Sequence, residues 1–214
     1  MAILATYQRK LSTAFELWKT DRRGFLQAFT GRLAVFIVYS ERPSDISPPE
    51  MPLGTEFRQP TESEIVEFAR LGDTLEHQLR YLKCPGPDKA FGVFLNGELA
   101  SICWLITEAE DRKLQVRRVK LRRGEAEIAA CFTLPKFRGL GLYTLAIQNA
   151  CRIALQQGIT RIYMITGSRN TPSRRGIEKS GFRRSGILLD FRSWFFPRGQ
   201  RLILRFFRWM AHQS

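Results

Sequence analysis

Residues 89–106, KAFGVFLNGELASICWLI, restrict the possible folds more than any other stretch of this chain. Two apolar runs flank Asn96-Gly97, a pair that tolerates the positive φ of a tight turn, so the runs should fold back as an antiparallel hairpin. LQVRRVKL (114–121) alternates as a strand does, and EAEIAACFTL (125–134) is a further strand rich in small residues. LYTLAIQNACRIALQQ (142–157) has the apolar spacing of a helix and is closed by Gly158. RIYMITG (161–167) reads as a strand, TPSRRGIEKSGF (171–182) as a short helix, and SGILLDFR (185–192) as a last strand. Upstream, TEFRQP (55–60) is a short strand. TESEIVEFARLGDTLEHQLRYL (61–82) reads as a helix, its start marked by Thr61 and Glu64 at capping-box spacing. Strand, helix, three antiparallel strands, strand, helix, strand, helix, strand is the order of a mixed sheet with helices, an α/β or α+β domain.

The flanks differ in character. Zone 1–54 opens with a helix-like stretch in which Leu4, Tyr7, Leu11, Phe15 and Trp18 recur among basic residues. A strand-sized run, LAVFIVY (33–39), follows, and then the Pro-rich linker ERPSDISPPEMPLG (41–54). Zone 55–192 holds the organised pattern. Zone 193–214, SWFFPRGQRLILRFFRWMAHQS, reads as a basic amphipathic helix: Arg201, Arg205 and Arg208 share one face beside a wide apolar stripe. It either caps the domain or lies in a membrane interface with its Trp and Phe side chains buried.

Charge bears on partners rather than fold. The chain has 34 Lys and Arg against 20 Asp and Glu, a formal net charge of +14, which favours anionic partners. An anionic membrane surface and an acidic acyl carrier protein rank ahead of nucleic acid, for which no binding module is recognisable. The 4 cysteines form no C-x-x-C pair and only His77 and His212 are present, so no metal site is expected. No apolar run has transmembrane length and no signal-peptide pattern opens the chain. The expectation is a cytoplasmic protein with reduced thiols, attached at most peripherally to the inner face of the membrane.

The junction PKFRGLGLY (135–143) carries the first chemical signal. A strand ends at Leu134-Pro135, and Arg138-Gly139-Leu140-Gly141 leads into a helix. The first turn of a helix has N–H groups without intrahelical partners and a partial positive charge. Glycines let an anion approach those groups closely, and Arg138 adds a charged donor. Such a loop suits a pyrophosphate. It has neither the Gly-Lys-Ser/Thr ending of a Walker loop nor the six-residue dinucleotide fingerprint. About thirty residues on stands NTPSRRGIEKSGF (170–182).

Together these stretches resemble the GNAT superfamily of N-acetyltransferases. Its cofactor loop is Gln/Arg-x-x-Gly-x-Gly/Ala, and residues 138–143 fit five of the six positions. Its later motif is Asn-x-x-Ala/Ser, three more residues, then Tyr-Glu-Lys-x-Gly-Phe. Asn170, Ser173, Glu178, Lys179, Gly181 and Phe182 match it in register. The resemblance covers roughly 55–192. It implies a mixed, mostly antiparallel sheet whose two central parallel strands, 125–134 and 161–167, splay apart around the pantetheine arm. It implies acyl transfer from acetyl-coenzyme A, or another acyl-coenzyme A, to an amine, with no metal. The cofactor-binding residues it implies are Phe132, Arg138, Gly139, Leu140, Gly141, Leu142, Tyr143, Asn170 and Ser173.

Such chemistry needs a base for the amine proton, a donor for the carbonyl oxygen and an acid for the thiolate. Glu127 is the candidate base; the competing reading is an outward-facing strand carboxylate beside Glu125. The N–H near Cys131 or Phe132 is the implied oxyanion donor. Cys131 as a nucleophile is weighed against a small buried thiol. The family's acidic tyrosine falls on Ile177, so Ser173, another hydroxyl or water replaces it, or the thiolate leaves unassisted. Tyr143 takes a position normally given to a small residue. Its ring points away from the anion, narrows the site, or lines the acceptor side. Expected acceptors are a lipid-linked or nucleotide-linked amino sugar or another small amine, then a protein amine. The alternatives are a long-chain N-acyl amino acid synthase fed by acyl carrier protein, and a non-catalytic membrane-associated partner or sensor.

Overall fold

The strands of the computed structural model are β1 (Arg32–Glu41), β2 (Thr55–Arg58), β3 (Ala90–Leu95), β4 (Glu98–Thr107), β5 (Glu125–Thr133), β6 (Arg161–Gly167), β7 (Arg183–Arg192) and β8 (Gln200–Arg205). The helices are α1 (Glu62–Leu71), α2 (Leu75–Lys83), the single turn α3 (Glu108–Asp111), α4 (Leu142–Gln156) and α5 (Thr171–Lys179). The structure describes residues 32–111, 119–192 and 200–205. The helix expected over 3–31 and most of the strand expected over 114–121 fall outside them.

Two units form the chain. The larger contains Ile37–Gly186, and along its sheet the neighbours run β2-β3-β4-β5-β6-β1-β7. β2, β3, β4 and β5 pair antiparallel in sequence order, and β5 pairs with β6 in parallel. The hairpin forms where expected: Leu95 pairs with Glu98, and Asn96 and Gly97 take φ of +52° and +84°. β1 precedes the Pro-rich segment in the chain, yet it stands between β6 and β7. Ser185 Oγ of β7 donates to the Val38 carbonyl of β1 at 3.3 Å.

α1 starts at its predicted capping box. Thr61 Oγ1 accepts from the Glu64 N–H, and the Glu64 carboxylate accepts from the Thr61 N–H at 2.7 Å. Arg58 clamps the same carboxylate with bonds of 3.0 and 2.7 Å, and this charged donor holds the Glu64 pKa at about 2. The expected single helix over 61–82 is broken in two. α1 stops at Leu71, Asp73 takes φ +52°, and α2 starts at Leu75. Gly72, the C-cap of α1, lies against β5: a Cβ there would stand 2.7 Å from the Phe132 ring.

α4 covers the other face of the sheet. Leu142, Leu145, Ala146, Ala150 and Ala154 are buried against Phe91, Val93, Cys103, Leu105, Ala126 and Ile128. Alanines at four-residue spacing give this helix a thin inner stripe, so it approaches the sheet closely. On the opposite face Phe68 of α1 meets Phe132 edge-on at 6.0 Å, and Tyr81 of α2 stacks near Trp104 at 5.6 Å. Both faces of β4 and β5 are therefore covered, which suits their nearly continuous apolar sequences.

In the smaller unit, residues 32–36 of β1 and Ile187–Arg192 of β7 are joined by β8, next to β7. β8 corrects the sequence reading. Residues 200–205, expected in a basic amphipathic helix, are extended. QRLILR is a short apolar run between polar residues, which fits a strand as well as a helix, and pairing beside β7 decides for the sheet. Residues 193–199 and 206–214 lie outside the described residues.

Candidate active site

The ladder between β5 and β6 is short. It consists of Glu125 with Arg161, Ala126 with Ile162 and Glu127 with Tyr163. Beyond these pairs β5 runs on to Thr133 and β6 to Gly167 without pairing, so the two parallel strands part toward their carboxyl ends. Ligands bind in parallel sheets at such crevices outside the carboxyl ends of the strands. The splay implied by the resemblance is present.

A bulge helps to open it. Trp104 pairs with Ala129 and Ile102 with Phe132, so Ala130 and Cys131 both stand opposite Cys103. Ala130 takes φ +48°. This shift returns the Cys131 side chain to the face of Ala126 and Ile128, against the core under α4, while Phe132 stays on the α1 face. The Cys131 thiol is held in its neutral form, which disfavours a nucleophilic role. Burial first, then the nearby Cys103 and Glu127, pushes its pKa well above the ordinary thiol value. Burial raises Cys103 likewise and pushes Cys151 up to about 12. All three stay protonated at neutral pH.

Each strand end passes into a helix. β5 runs through a turn at Pro135–Phe137 into Gly139 and Gly141, with φ of +85° and +77°, and then into α4. A Cβ on either glycine would meet nothing within 4 Å. Gly141 is the N-cap, and no side chain bonds to the first turn of α4. α1 and α5, in contrast, are capped by Thr61 and Asn170. The uncapped start of this 15-residue helix, facing open space through two glycines, suits an anion. Leu140 is exposed at the tip of the loop and Leu142 is buried beneath it. Arg138 folds back over β5, with Nε donating to the Thr133 carbonyl at 3.4 Å and the guanidinium 5.6 Å above the Phe132 ring.

β6 passes into α5 at Asn170, whose Oδ1 accepts from the Ser173 N–H at 3.3 Å. Arg174 Nη1 closes the connection by donating to the Ser168 carbonyl at 2.9 Å. The ring of Tyr143 lies against α5, where Gly176 leaves room for it, and its hydroxyl is 2.9 Å from Ser173 Oγ. The ring thereby joins the first turns of α4 and α5. Burial raises the pKa of its phenol, so it remains a neutral donor. Ile177 is 1% exposed in the core and offers no hydroxyl to the crevice.

Gly176 and Tyr143 are therefore complementary. A Cβ on Gly176 would stand 2.5 Å from Tyr143 Cδ1. Alanine is the better helix former by about 1 kcal/mol, but here overpacking of about 1–3 kcal/mol dominates. Gly176→Ala should lower the melting temperature in the natural chain and raise it in a Tyr143→Ala background. Equal effects in both backgrounds would refute the contact.

Glu125 and Glu127 share a face, as alternation requires, but differ in use. Glu125 accepts from the Tyr163 hydroxyl at 3.0 Å and from the Arg122 N–H at 2.9 Å. It is a structural carboxylate. Glu127 forms the last β5–β6 pair, half-buried where the strands part, and its charge contributes to raising the Cys131 thiol. The described structure thus puts Glu127 where β5 and β6 part, Phe132 and Arg138–Tyr143 at the passage from β5 to α4, and Asn170 and Ser173 at the passage from β6 to α5. His77 is exposed on α2, its ring 5.4 Å from that of Tyr81. What sequence reading missed is Gln78, fully buried behind the bulge. Its only sequence signal is its position on the apolar stripe of α2 with Leu75 and Leu82.

A second cleft, of about 470 Å³, lies between α1 and the β3–β4 hairpin, lined by Glu64, Glu67, Phe68, Phe94, Glu98 and Leu99. Glu64 and Glu98 are paired with Arg58 and Lys136 respectively, so much of its acidic charge is neutralised.

Comparison with known proteins agrees with this geometry. Residues 55–182 match the acetyltransferase (GNAT) family, and the chain belongs to it. Among solved structures, an N-acetyltransferase from Sphaerobacter thermophilus is similar at 14% identity and a TM-score of 0.55, with 91% of this chain and 57% of that one covered. A GNAT-family acetyltransferase from Colwellia psychrerythraea has 14% identity and a TM-score of 0.57, covering 80% of this chain and 61% of its own. The glucosamine N-acetyltransferase region of a fungal multi-domain beta-N-acetylglucosaminidase has 14% identity and a TM-score of 0.57, covering 85% of this chain and 22% of that one. These are likenesses of fold, and this chain spans less than two thirds of each. No curated protein sequence matches it. Among the described residues, no helix is long and apolar enough to cross a membrane, and no cluster of metal-ligating side chains occurs.

Proposed function

We propose that the chain transfers an acyl group, with acetyl the first candidate, from acyl-coenzyme A to an amine. The observation that carries this reading is the three-pair β5–β6 ladder opening beneath an uncapped, glycine-lined helix start. The N–H groups of residues 139–143, with Arg138, would hold the pyrophosphate, and the exposed edges of β5 and β6 would hold the pantetheine arm. Coenzyme A supplies the activated thioester.

The chain's own groups do the rest. Glu127 takes the proton from the incoming amine, so that a neutral nitrogen forms the new bond to carbon as the carbon–sulfur bond breaks. The N–H at the bulge, at Cys131 or Phe132, donates to the carbonyl oxygen as it gains charge. The hydroxyl nearest the role left open by Ile177 is the Tyr143–Ser173 pair; otherwise water protonates the departing thiolate.

For the acceptor, we favour a lipid-linked or nucleotide-linked amino sugar. The aromatic and arginine-rich terminal sequences suit an acceptor presented at an anionic membrane surface. A fold neighbour that acts on glucosamine is compatible with that choice. An acyl-carrier-protein donor rests on the same positive charge, with less support because the phosphate cradle is intact.

Melting of the purified protein with acetyl-coenzyme A, followed by a thiol-release screen over amine acceptors, tests the proposal. A raised melting temperature and release with one acceptor class support it. No shift with any acyl-coenzyme A would sink it. A shift without release from any amine would support the non-catalytic sensor instead. Sedimentation with anionic vesicles, with and without residues 193–214, tests the membrane component.

A further inference from the structure

Gln78 sits where its neighbours in sequence would not place it. α2 reads LEHQLRYLK, and His77 and Arg80 are exposed, yet Gln78 is 0% exposed. Its carboxamide has two partners. Oε1 accepts from the Trp104 indole Nε1 at 2.7 Å, and Nε2 donates to the Ala130 carbonyl at 3.2 Å. The indole N–H can only donate, so it forces the amide oxygen toward Trp104 and the NH₂ toward Ala130.

The second bond has a consequence for the crevice. Ala130 is the left-handed residue of the bulge, a conformation that a side-chain-bearing residue seldom adopts. The peptide between Ala130 and Cys131 is planar and trans, so its C=O and N–H point in opposite directions. Holding the oxygen toward α2 therefore turns the Cys131 N–H away from α2, at a point of β5 beyond its last pair with β6.

We infer that Gln78 is a positioning residue: by anchoring the Ala130 carbonyl it aims the Cys131 N–H at the carbonyl oxygen of a bound thioester, with Trp104 setting the orientation of the Gln78 amide. The inference rests on the acyl-transfer reading and deepens it, because it assigns the carbonyl donor to one peptide and gives that peptide a support outside the cofactor motifs.

Infrared difference spectroscopy with acetyl-coenzyme A isotopically labelled at the thioester carbonyl reads this polarisation without knowledge of the acceptor. In the natural chain, binding should move the carbonyl stretch to lower frequency. Gln78→Met keeps the volume but removes both polar bonds. It should retain the acetyl-coenzyme A melting shift and lose most of the carbonyl shift. Thiol release with the acceptor from the screen should show kcat about tenfold or more lower, with KM for acetyl-coenzyme A little changed. Gln78→Glu guards against a folding defect. Its neutral acid can still donate to Ala130 and accept from Trp104, whereas its carboxylate cannot donate. The carbonyl shift of that variant should therefore be present at low pH and disappear as pH rises through the new carboxyl pKa. The titratable groups near this face, His77 and Tyr81 of α2 and Glu127 of β5, are common to both chains, so the natural protein supplies the baseline. A full carbonyl shift in Gln78→Met, or a pH-independent one in Gln78→Glu, overturns the inference. Failure of the natural chain to bind any acyl-coenzyme A removes the acyl-transfer reading itself.

Discussion

Exchanging Gly139 for glutamate is expected to abolish acetyl-coenzyme A binding while leaving the protein folded. Gly139 is exposed, at φ +85°, and a Cβ there meets nothing within 4 Å. The cost to the fold is that of one left-handed side-chain-bearing residue, about 1–2 kcal/mol. The cost to binding is larger. A carboxylate about 4 Å from a pyrophosphate charge repels it by roughly 4 kcal/mol in a partly solvated site, which is about a thousandfold in affinity. The natural chain should melt higher with acetyl-coenzyme A, and Gly139→Glu should melt at one temperature with or without it. A variant with the full ligand-induced shift would place the phosphates elsewhere.

Loss of the base should act on turnover rather than binding. Glu127→Gln keeps the shape of the side chain at the point where β5 and β6 part, but an amide cannot take the amine proton. A kcat lower by about a hundredfold to ten-thousandfold is expected, with the acetyl-coenzyme A melting shift intact. Raising the pH should narrow the gap, because more of the acceptor then arrives already neutral. If Glu127→Gln turns over as the natural chain does at neutral pH, the base is another group or water.

Where local chemistry decides structure, the sequence could be read directly. Thr61 and Glu64 form their capping box, Asn96-Gly97 turns the hairpin, and Gly139 and Gly141 take the positive φ that an anion cradle needs. Each depends on residues a few positions apart. The features that escaped depend on partners distant in sequence. Gly72 has room for no side chain because Phe132 stands against it, and the buried Gln78 finds its partner in the carbonyl of the bulge. Tyr143 was ambiguous for the same reason: its place is set by Gly176, on a different helix. Residues 200–205 show the converse, a segment with two acceptable periodicities that a neighbouring strand makes extended.

The insertion of β1 between β6 and β7 bears on how the protein is made. From the end of β1 at Glu41 to the start of β6 at Arg161 the chain must grow by about 120 residues. A ribosome therefore releases LAVFIVY, a stretch built for a sheet interior, long before either neighbour exists. Contacts of such sequence separation also slow folding, because the loop must close before they form. For several seconds at ordinary elongation rates the nascent chain carries an unpaired apolar strand. Its first cellular companion is then expected to be a chaperone that binds extended hydrophobic segments, and yield on overexpression should depend on chaperone supply more than on the stability of the finished fold.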